Sequence, residues 1–280
     1  MARQGTQIYF QEETQEQEMS EDLVVAKTVQ TAPIRILAEG LKSMLVEMSL
    51  VFDKDGIRMI AMDNTRTVLT HMRLQASKFE HYEYNHSAPK LDVGLNTDHF
   101  YRIIKTATND DTITFSVSRA ESNHITITLE NGEKKRRIRN KLNLLDRDES
   151  DINMPETEFA TRITMPSMDF QKICRDMTLL SAKTVDIKNV GSTLTFTCKG
   201  PFASQTVTMG DSTSDITIAR TKNDEIVSGT YSLPHLVLFT KCSNLSNNLE
   251  IHMKNDWFLM IRYVIANLGD IKLCLMPCST

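Results

Sequence analysis

MPSMDFQKICRDM (Met165–Met177) is the stretch on which the fold turns. Its apolar residues Phe170, Ile173, Cys174 and Met177 recur at helical spacing and share one face, while Lys172 and Arg175 fall on the opposite face. A second helical stretch, Asn96–Thr108, carries the same signature 70 positions earlier, because FYRIIK (Phe100–Lys105) and FQKICR (Phe170–Arg175) both fit F-x-[basic]-I-x-[basic]. On a wheel advancing about 100° per residue, Phe100, Ile103, Ile104 and Ala107 make the apolar face, with Arg102 and Lys105 opposite. Asn96 suits the N-cap, since its side chain can accept from a free N–H of the first turn.

Short strand-like runs surround these helices. A first helix is expected over Ala32–Met48, with Ile34, Leu37, Leu41, Met44 and Met48 at helical spacing. VEMSLVF, GIRMIAMD and TVLTHMRL follow as strands with polar turns such as DKDG between them. TITFSVS and HITITLE follow the second helix, and TVDIK, STLTFTC, SQTVTM and DITIA follow the third, which is expected over Ser167–Leu180. A fourth helix, Ser232–Asn244, precedes NLEIHM, WFLMIRYVIA and DIKLCLM. Helix followed by strands, four times over, argues an α+β fold with antiparallel sheets rather than alternating βαβ units.

The chain has 280 residues, which suits about two domains of roughly 140 residues each. Residues 1–22 read as an acidic, Gln-rich disordered tail, with six acids and no base from Gln11 to Asp22. The first domain is expected over 23–141 and the second over 160–280. The stretch KKRRIRNKLNLLDRDESDINMPETEF has mixed charge and no clear period, and it reads as linker, with the connector proper at 142–159. The run Lys134–Lys141, six basic residues in eight positions, reads as an exposed loop, with nuclear import or an extra DNA contact as the other readings.

With 40% hydrophobic and 24% charged residues the composition is that of an ordinary globular protein. No apolar run approaches the roughly 20 residues of a membrane helix, and the amino-terminal residues lack a signal peptide's apolar stretch, so no membrane partner is expected. Five cysteines with no CxxC pair argue against a disulfide scaffold or zinc ribbon. Acids that could be offered as nuclease metal ligands (Asp63, Asp110–Asp111, Asp146-x-Asp148) fall in turns or charged linker, and neither HExxH nor GxSxG occurs. No enzyme activity, catalytic residue, metal or cofactor is therefore expected.

Net charge is −4, so attraction to nucleic acid has to come from where the cations sit. Arg35 and Lys42 share the far face of the first helix, Arg102 and Lys105 that of the second, and Lys172 and Arg175 that of the third. Lys241 lies opposite Leu236 and Phe239 in the fourth. For one helix such a face is simply solvated; four of them in an acidic protein suggest a basic lining that holds a polyanion by its phosphates, without reading sequence.

The Met165–Met177 helix closely resembles the start of the second domain of the proliferating cell nuclear antigen family, the DNA sliding clamps. Further similarity lies in DGIRMIAMD (Asp55–Asp63), in Val93-Gly-Leu-Asn through Ile104-Lys105, and in LGDIKLCLMP (Leu268–Pro277), in register over nearly the whole chain. The resemblance implies the clamp fold: two similar domains, each with two helices backing onto curved antiparallel sheets, and three subunits closing head-to-tail around duplex DNA. It also implies a homotrimer, a DNA polymerase and a clamp loader as partners, and nuclear localisation, or a viral replication site for a virus-encoded member. The seven cations named above match positions where clamps place Lys or Arg. The connector would dock PIP-box-type peptides in a pocket of Met62, Leu69, Ile152, Met154, Met276 and Pro277, with Cys274 replacing a usual aromatic and leaving more room. Interface strands are expected at HITITLE (Ile125, Ile127, Leu129) and SQTVTM (Val207, Met209), as exposed edges. The alternative role within the same fold is a checkpoint subunit of a heterotrimer, or a monomeric accessory factor.

Overall fold

The computed structural model describes residues 21–146, 152, 154–210, 216–221 and 225–278. The expected acidic tail lies almost wholly outside the described residues. Regular structure begins one residue before the expected boundary, with β1 (Asp22–Thr28).

Four helices form among the described residues: α1 (Thr31–Met44), α2 (Thr97–Ile104), α3 (Ser167–Leu179) and α4 (Leu233–Phe239). In α1, Pro33 is tolerated because the first-turn N–H it lacks has no intrahelical partner anyway. The helix ends at Met44, short of the expected Met48, which instead enters the core from strand β2 (Glu47–Asp53). The cap at α2 is as expected: Asn96 Oδ1 accepts the His99 N–H at 3.0 Å. After Phe239 the fourth helix tightens into a 3₁₀ turn over Thr240–Leu245, so Lys241 stands on that turn and not on an α-helix.

Among the described residues all strand pairings are antiparallel. A five-stranded sheet has the order β5 (His81–Tyr84), β1, β7 (Thr112–Ser118), β8 (His124–Asn131), β9 (Arg136–Asn143). A four-stranded sheet runs β13 (Ser204–Gly210), β12 (Thr193–Lys199), β11 (Thr184–Val190), β15 (Val227–Ser232). Between them lies a nine-stranded sheet: β14 (Thr217–Arg220), β10 (Thr161–Pro166), β16 (Asn248–Met253), β17 (Leu259–Ile265), β18 (Gly269–Leu275), β4 (Val68–Gln75), β3 (Gly56–Met62), β2, β6 (Leu91–Asn96).

The two halves of the chain meet within this sheet, where β18 pairs with β4 from Gly269↔Leu74 to Leu275↔Val68. Helices α1 and α2 pack together, α1 packs on the 240–245 turn, and that turn packs on α3, so one helical layer spans both halves. Two glycines permit the join. A Cβ on Gly269 would lie 1.9 Å from the Arg73 carbonyl oxygen, and one on Gly40 would lie 2.8 Å from Cys242 Sγ. A single apolar core runs from Leu23 to Leu275 beneath the helices.

The structure corrects one expected interface strand. HITITLE is not an edge: β8 is bonded to β7 on one side and β9 on the other. Ile125 and Ile127 are fully buried and Leu129 is 1% exposed, so all three are core residues. The edge is β9, in the stretch read as loop and linker. Its residues alternate between half-buried (Arg136, Ile138, Asn140, Leu142) and exposed (Arg137, Arg139, Lys141, Asn143). Cations on an edge strand discourage promiscuous pairing, and they also mask the apolar alternation by which a strand is recognised. Strand β9 therefore extends to Asn143, two residues into the stretch expected as connector. The other expected interface strand, β13 with Val207 and Met209, is an open edge of its sheet.

Candidate nucleic-acid interface and partner pocket

The helical layer buries one face of each helix: Ile34, Leu37, Ala38 and Leu41 from α1, Phe100 and Ile104 from α2, Phe170, Ile173, Cys174 and Met177 from α3, Leu233, Leu236 and Phe239 from α4. The sequence spacing sends the cations the other way. Lys42, Arg102, Lys105, Lys172, Arg175 and Lys241 are exposed, and Arg35 is half-buried.

These cations are not equivalent. Arg35 donates to the Ala107 carbonyl at 2.9 Å, which ties α1 to the end of α2 and draws this guanidinium partly inward. Asp98 bridges two helices, lying 2.8 Å from Lys42 Nζ and 2.7 Å from Arg102 Nε. The hydrogen bond from Lys42, with the charges of Arg102 and Lys42, holds the Asp98 carboxyl below the usual range. Lys42 and Lys105 lie 4.7 and 5.7 Å from the Tyr101 ring centroid, so that ring steadies both ammonium groups. On α3, Asp176 sits 3.1 Å from Lys172 and 3.9 Å from Arg175. Lys105 and Lys241 have no carboxylate partner among the described residues. A layer of cations, partly compensated by Asp98 and Asp176, can meet phosphate charge without specifying bases.

On the opposite side of the nine-stranded sheet lies a second, separate apolar cluster. Phe258, Met260 and Cys274 form its floor, and Leu69, Met154 and Phe159 pack on it. Three of the expected pocket residues, Leu69, Met154 and Cys274, thus come together. Register explains the floor: Met260 faces Cys274, Cys274 faces Leu69 and Leu69 faces Met62 across adjacent strands. Met62 and Met276 are exposed, while Ile152 and Pro277 are half-buried. Met62 also lines a hollow of about 450 Å³ with Met44, Leu45, Val46, Glu47, Asp63 and Asn64.

Sequence reasoning missed Phe159, Phe258 and Met260. Phe159 stacks edge-on against Phe258 at 5.6 Å, and Trp257 lies against Phe258 at 5.5 Å while donating to Thr157 Oγ1 of the connector at 3.0 Å. The alternation in WFLMIRYVIA could have signalled Met260; nothing local signals Phe159. These side chains pack around Cys274. The thiol is 3% exposed, enclosed by its neighbours, and burial pushes its pKa up to about 12.

Of the acids considered as metal ligands, Asp63 and Asp111 have structural roles, and Asp148 lies outside the described residues. Asp63 accepts N–H groups from Thr67 and Val68 at 2.8 and 2.7 Å, shaping the β3–β4 turn. Asp111 is buried and accepts from Asn131 at 3.0 Å and from Arg136 at 3.1 Å, so it anchors the start of β9.

Two units, each with two helices on antiparallel strands, joined through one sheet and sharing one cation-bearing helical layer, make an α+β fold of the DNA-clamp class. The chain belongs to the proliferating cell nuclear antigen family: residues 23–151 match the family's N-terminal domain and residues 153–278 its C-terminal domain. Among its relatives is the "Probable DNA polymerase sliding clamp 1" of Paramecium bursaria Chlorella virus 1, 31% identical over 254 residues, covering 90% of this chain and 95% of the relative. The proliferating cell nuclear antigen of Chaetomium thermophilum is 28% identical over 262 residues, covering 91% and 98%. Proliferating cell nuclear antigen 2 of Drosophila melanogaster is 25% identical over 257 residues, covering 91% and 97%.

Proposed function

We infer that this protein is a DNA sliding clamp, a ring-forming processivity factor that encloses duplex DNA and tethers a DNA polymerase. The observation that carries this reading is the single helical layer spanning both halves, with six exposed cations directed away from the core of a protein whose net charge is −4. Arg35, Lys42, Arg102, Lys105, Lys172, Arg175 and Lys241 act as phosphate contacts that let the duplex slide. Two open edges, β9 and β13, suit head-to-tail closure of a homotrimer, since a ring needs two different complementary surfaces on each copy. The cluster around Leu69, Met154 and Cys274, with Met62, Ile152, Met276 and Pro277 at its border, receives a PIP-box-type peptide from the polymerase and other replication or repair partners. A clamp loader opens the ring, and the work is done in the nucleus or at a viral replication site.

The test is topological. A loaded ring runs off linear DNA and stays on a closed circle, so equal retention on both overturns enclosure. Light scattering should give roughly three times 31.9 kDa for a homotrimer.

A further inference from the structure

The outer face of the nine-stranded sheet carries a charged surface directly beside the apolar pocket. Three cross-strand rows succeed one another there. The first is the pocket floor, in which Cys274 faces Leu69. Two residues along, Lys272 faces His71; two further, Arg73 faces Arg58. Like charges placed directly opposite destabilise a sheet, and here Arg73 stands opposite Arg58 with Lys272 one row away.

The carboxylates nearby do not cancel them. Asp270, the register partner of Arg73, turns to Arg262 at 2.6 Å, and Asp53 takes Arg58 at 2.8 Å. Arg73 and Lys272 have no carboxylate partner among the described residues. His71 Nδ1 is buried without a hydrogen bond. Burial pushes the His71 imidazole down, and Lys272, Arg73 and Arg58 push it the same way against Asp270, as expected where positive charge is uncompensated.

We propose that the block of Lys272, His71, Arg73 and Arg58 is the docking surface for an acidic stretch of the partner peptide whose apolar anchors enter the adjacent pocket. The proposal rests on the pocket reading above and adds the chemistry of the partner. Two residues of strand advance about 7 Å, so the block lies about 7 to 13 Å from the pocket floor, or two to four residues of an extended peptide. The surface is continuous with the pocket, and its charge complements an acidic peptide and is opposite in sign to the protein's net charge of −4.

Three synthetic peptides test this by fluorescence anisotropy. All share one aliphatic and two aromatic anchors, flanked on both sides by four Glu, four Ser or four Lys residues. The Glu-flanked peptide should bind about five-fold tighter than the Ser-flanked one at low salt, with the advantage shrinking as salt rises. Arg73→Ser with Lys272→Ser should abolish that preference and leave the Ser-flanked affinity unchanged. Equal affinity for the Glu and Ser flanks, or a preference that survives the double substitution, overturns the proposal alone. Failure of all three peptides to bind overturns the pocket reading and this proposal with it. If the double substitution weakens binding of a short single-stranded oligonucleotide and no peptide, the surface belongs to nucleic acid and the proposal fails.

Discussion

Replacing Arg102, Lys105, Lys172 and Arg175 together by Ala tests the proposed DNA contacts of the helical layer most directly. All four side chains are exposed and lie opposite the apolar stripe, so the fold should survive. Removing one phosphate-binding cation lowers the slope of log K against log salt by about 0.9, so removing four lowers it by at most about 3.6. Over a fourfold rise in salt, that difference corresponds to a factor of about 150 in affinity. The ion pairs reduce the expected change. Arg102 lies 2.7 Å from Asp98 and Lys172 3.1 Å from Asp176, so part of their charge is already neutralised within the protein. The drop should therefore fall short of the full value and come mainly from Lys105 and Arg175. Asp98→Asn should act the other way, releasing Lys42 and Arg102 and tightening DNA binding at low salt. The assay is fluorescence titration of a nonspecific duplex from 0.05 to 0.2 M salt, roughly the range over which such slopes are read. Lys134→Ala with Lys188→Ala, away from the helices, serves as control. An unchanged slope in the quadruple variant, an equal drop in the control, or weaker binding by Asp98→Asn would refute the reasoning.

Further outcomes are expected. Along β13 successive N–H groups point alternately to β12 and to the open edge, so of Thr206→Pro and Val207→Pro one should unfold part of the sheet. The other should give a monomer by light scattering with a native circular dichroism spectrum. Ile127→Pro, in the interior strand β8, should unfold the domain, with loss of the native circular dichroism spectrum. Ile152→Ala with Met154→Ala should weaken peptide binding and leave the mass unchanged. Gly40→Val pushes a branched side chain against Cys242 Sγ and should cost about 1–3 kcal/mol in urea unfolding. Asp111 has its carboxyl pushed up by burial but, on balance, held below the usual value by hydrogen bonds from Thr108 and Asn131 and by the Arg136 charge. Its contribution is present above the unfolded-state value near pH 4 and disappears as pH falls through the lower folded value. Asp111→Asn should then lower Tm at pH 7 and match the unsubstituted protein near pH 2.

Some features were legible in order along the chain and others were not. The four helices, and the sense in which the first three turn their cations, were readable, because an amphipathic helix writes its orientation into a period of 3.6 residues; Lys241 instead stands on the 3₁₀ turn after the fourth. The alternating strands HITITLE and SQTVTM were readable as strands, but their places in the sheet were not. A strand's own pattern states which side is buried, not whether one or two neighbours are bonded to it. RRIRNKLN shows the converse: only Ile138 and Leu142 mark its inward face, and the charge between them looks like loop.

The pocket divides in the same way. Leu69, Met154 and Cys274 were found through the family resemblance, and Phe159, Phe258 and Met260 only through packing, since they reach the floor from other strands and from the connector. What the sequence alone determined is therefore local and periodic: the α+β class, the repeated helix, the basic face of the first three helices and the number of domains. The tertiary structure alone decided which edges stay open, how Asp98 and Asp176 temper the cations, and that Lys272, His71, Arg73 and Arg58 stand together. Those facts depend on cross-strand register between β18, β4 and β3, where residues about 200 positions apart become neighbours across a strand spacing of about 4.8 Å. No local pattern encodes that proximity.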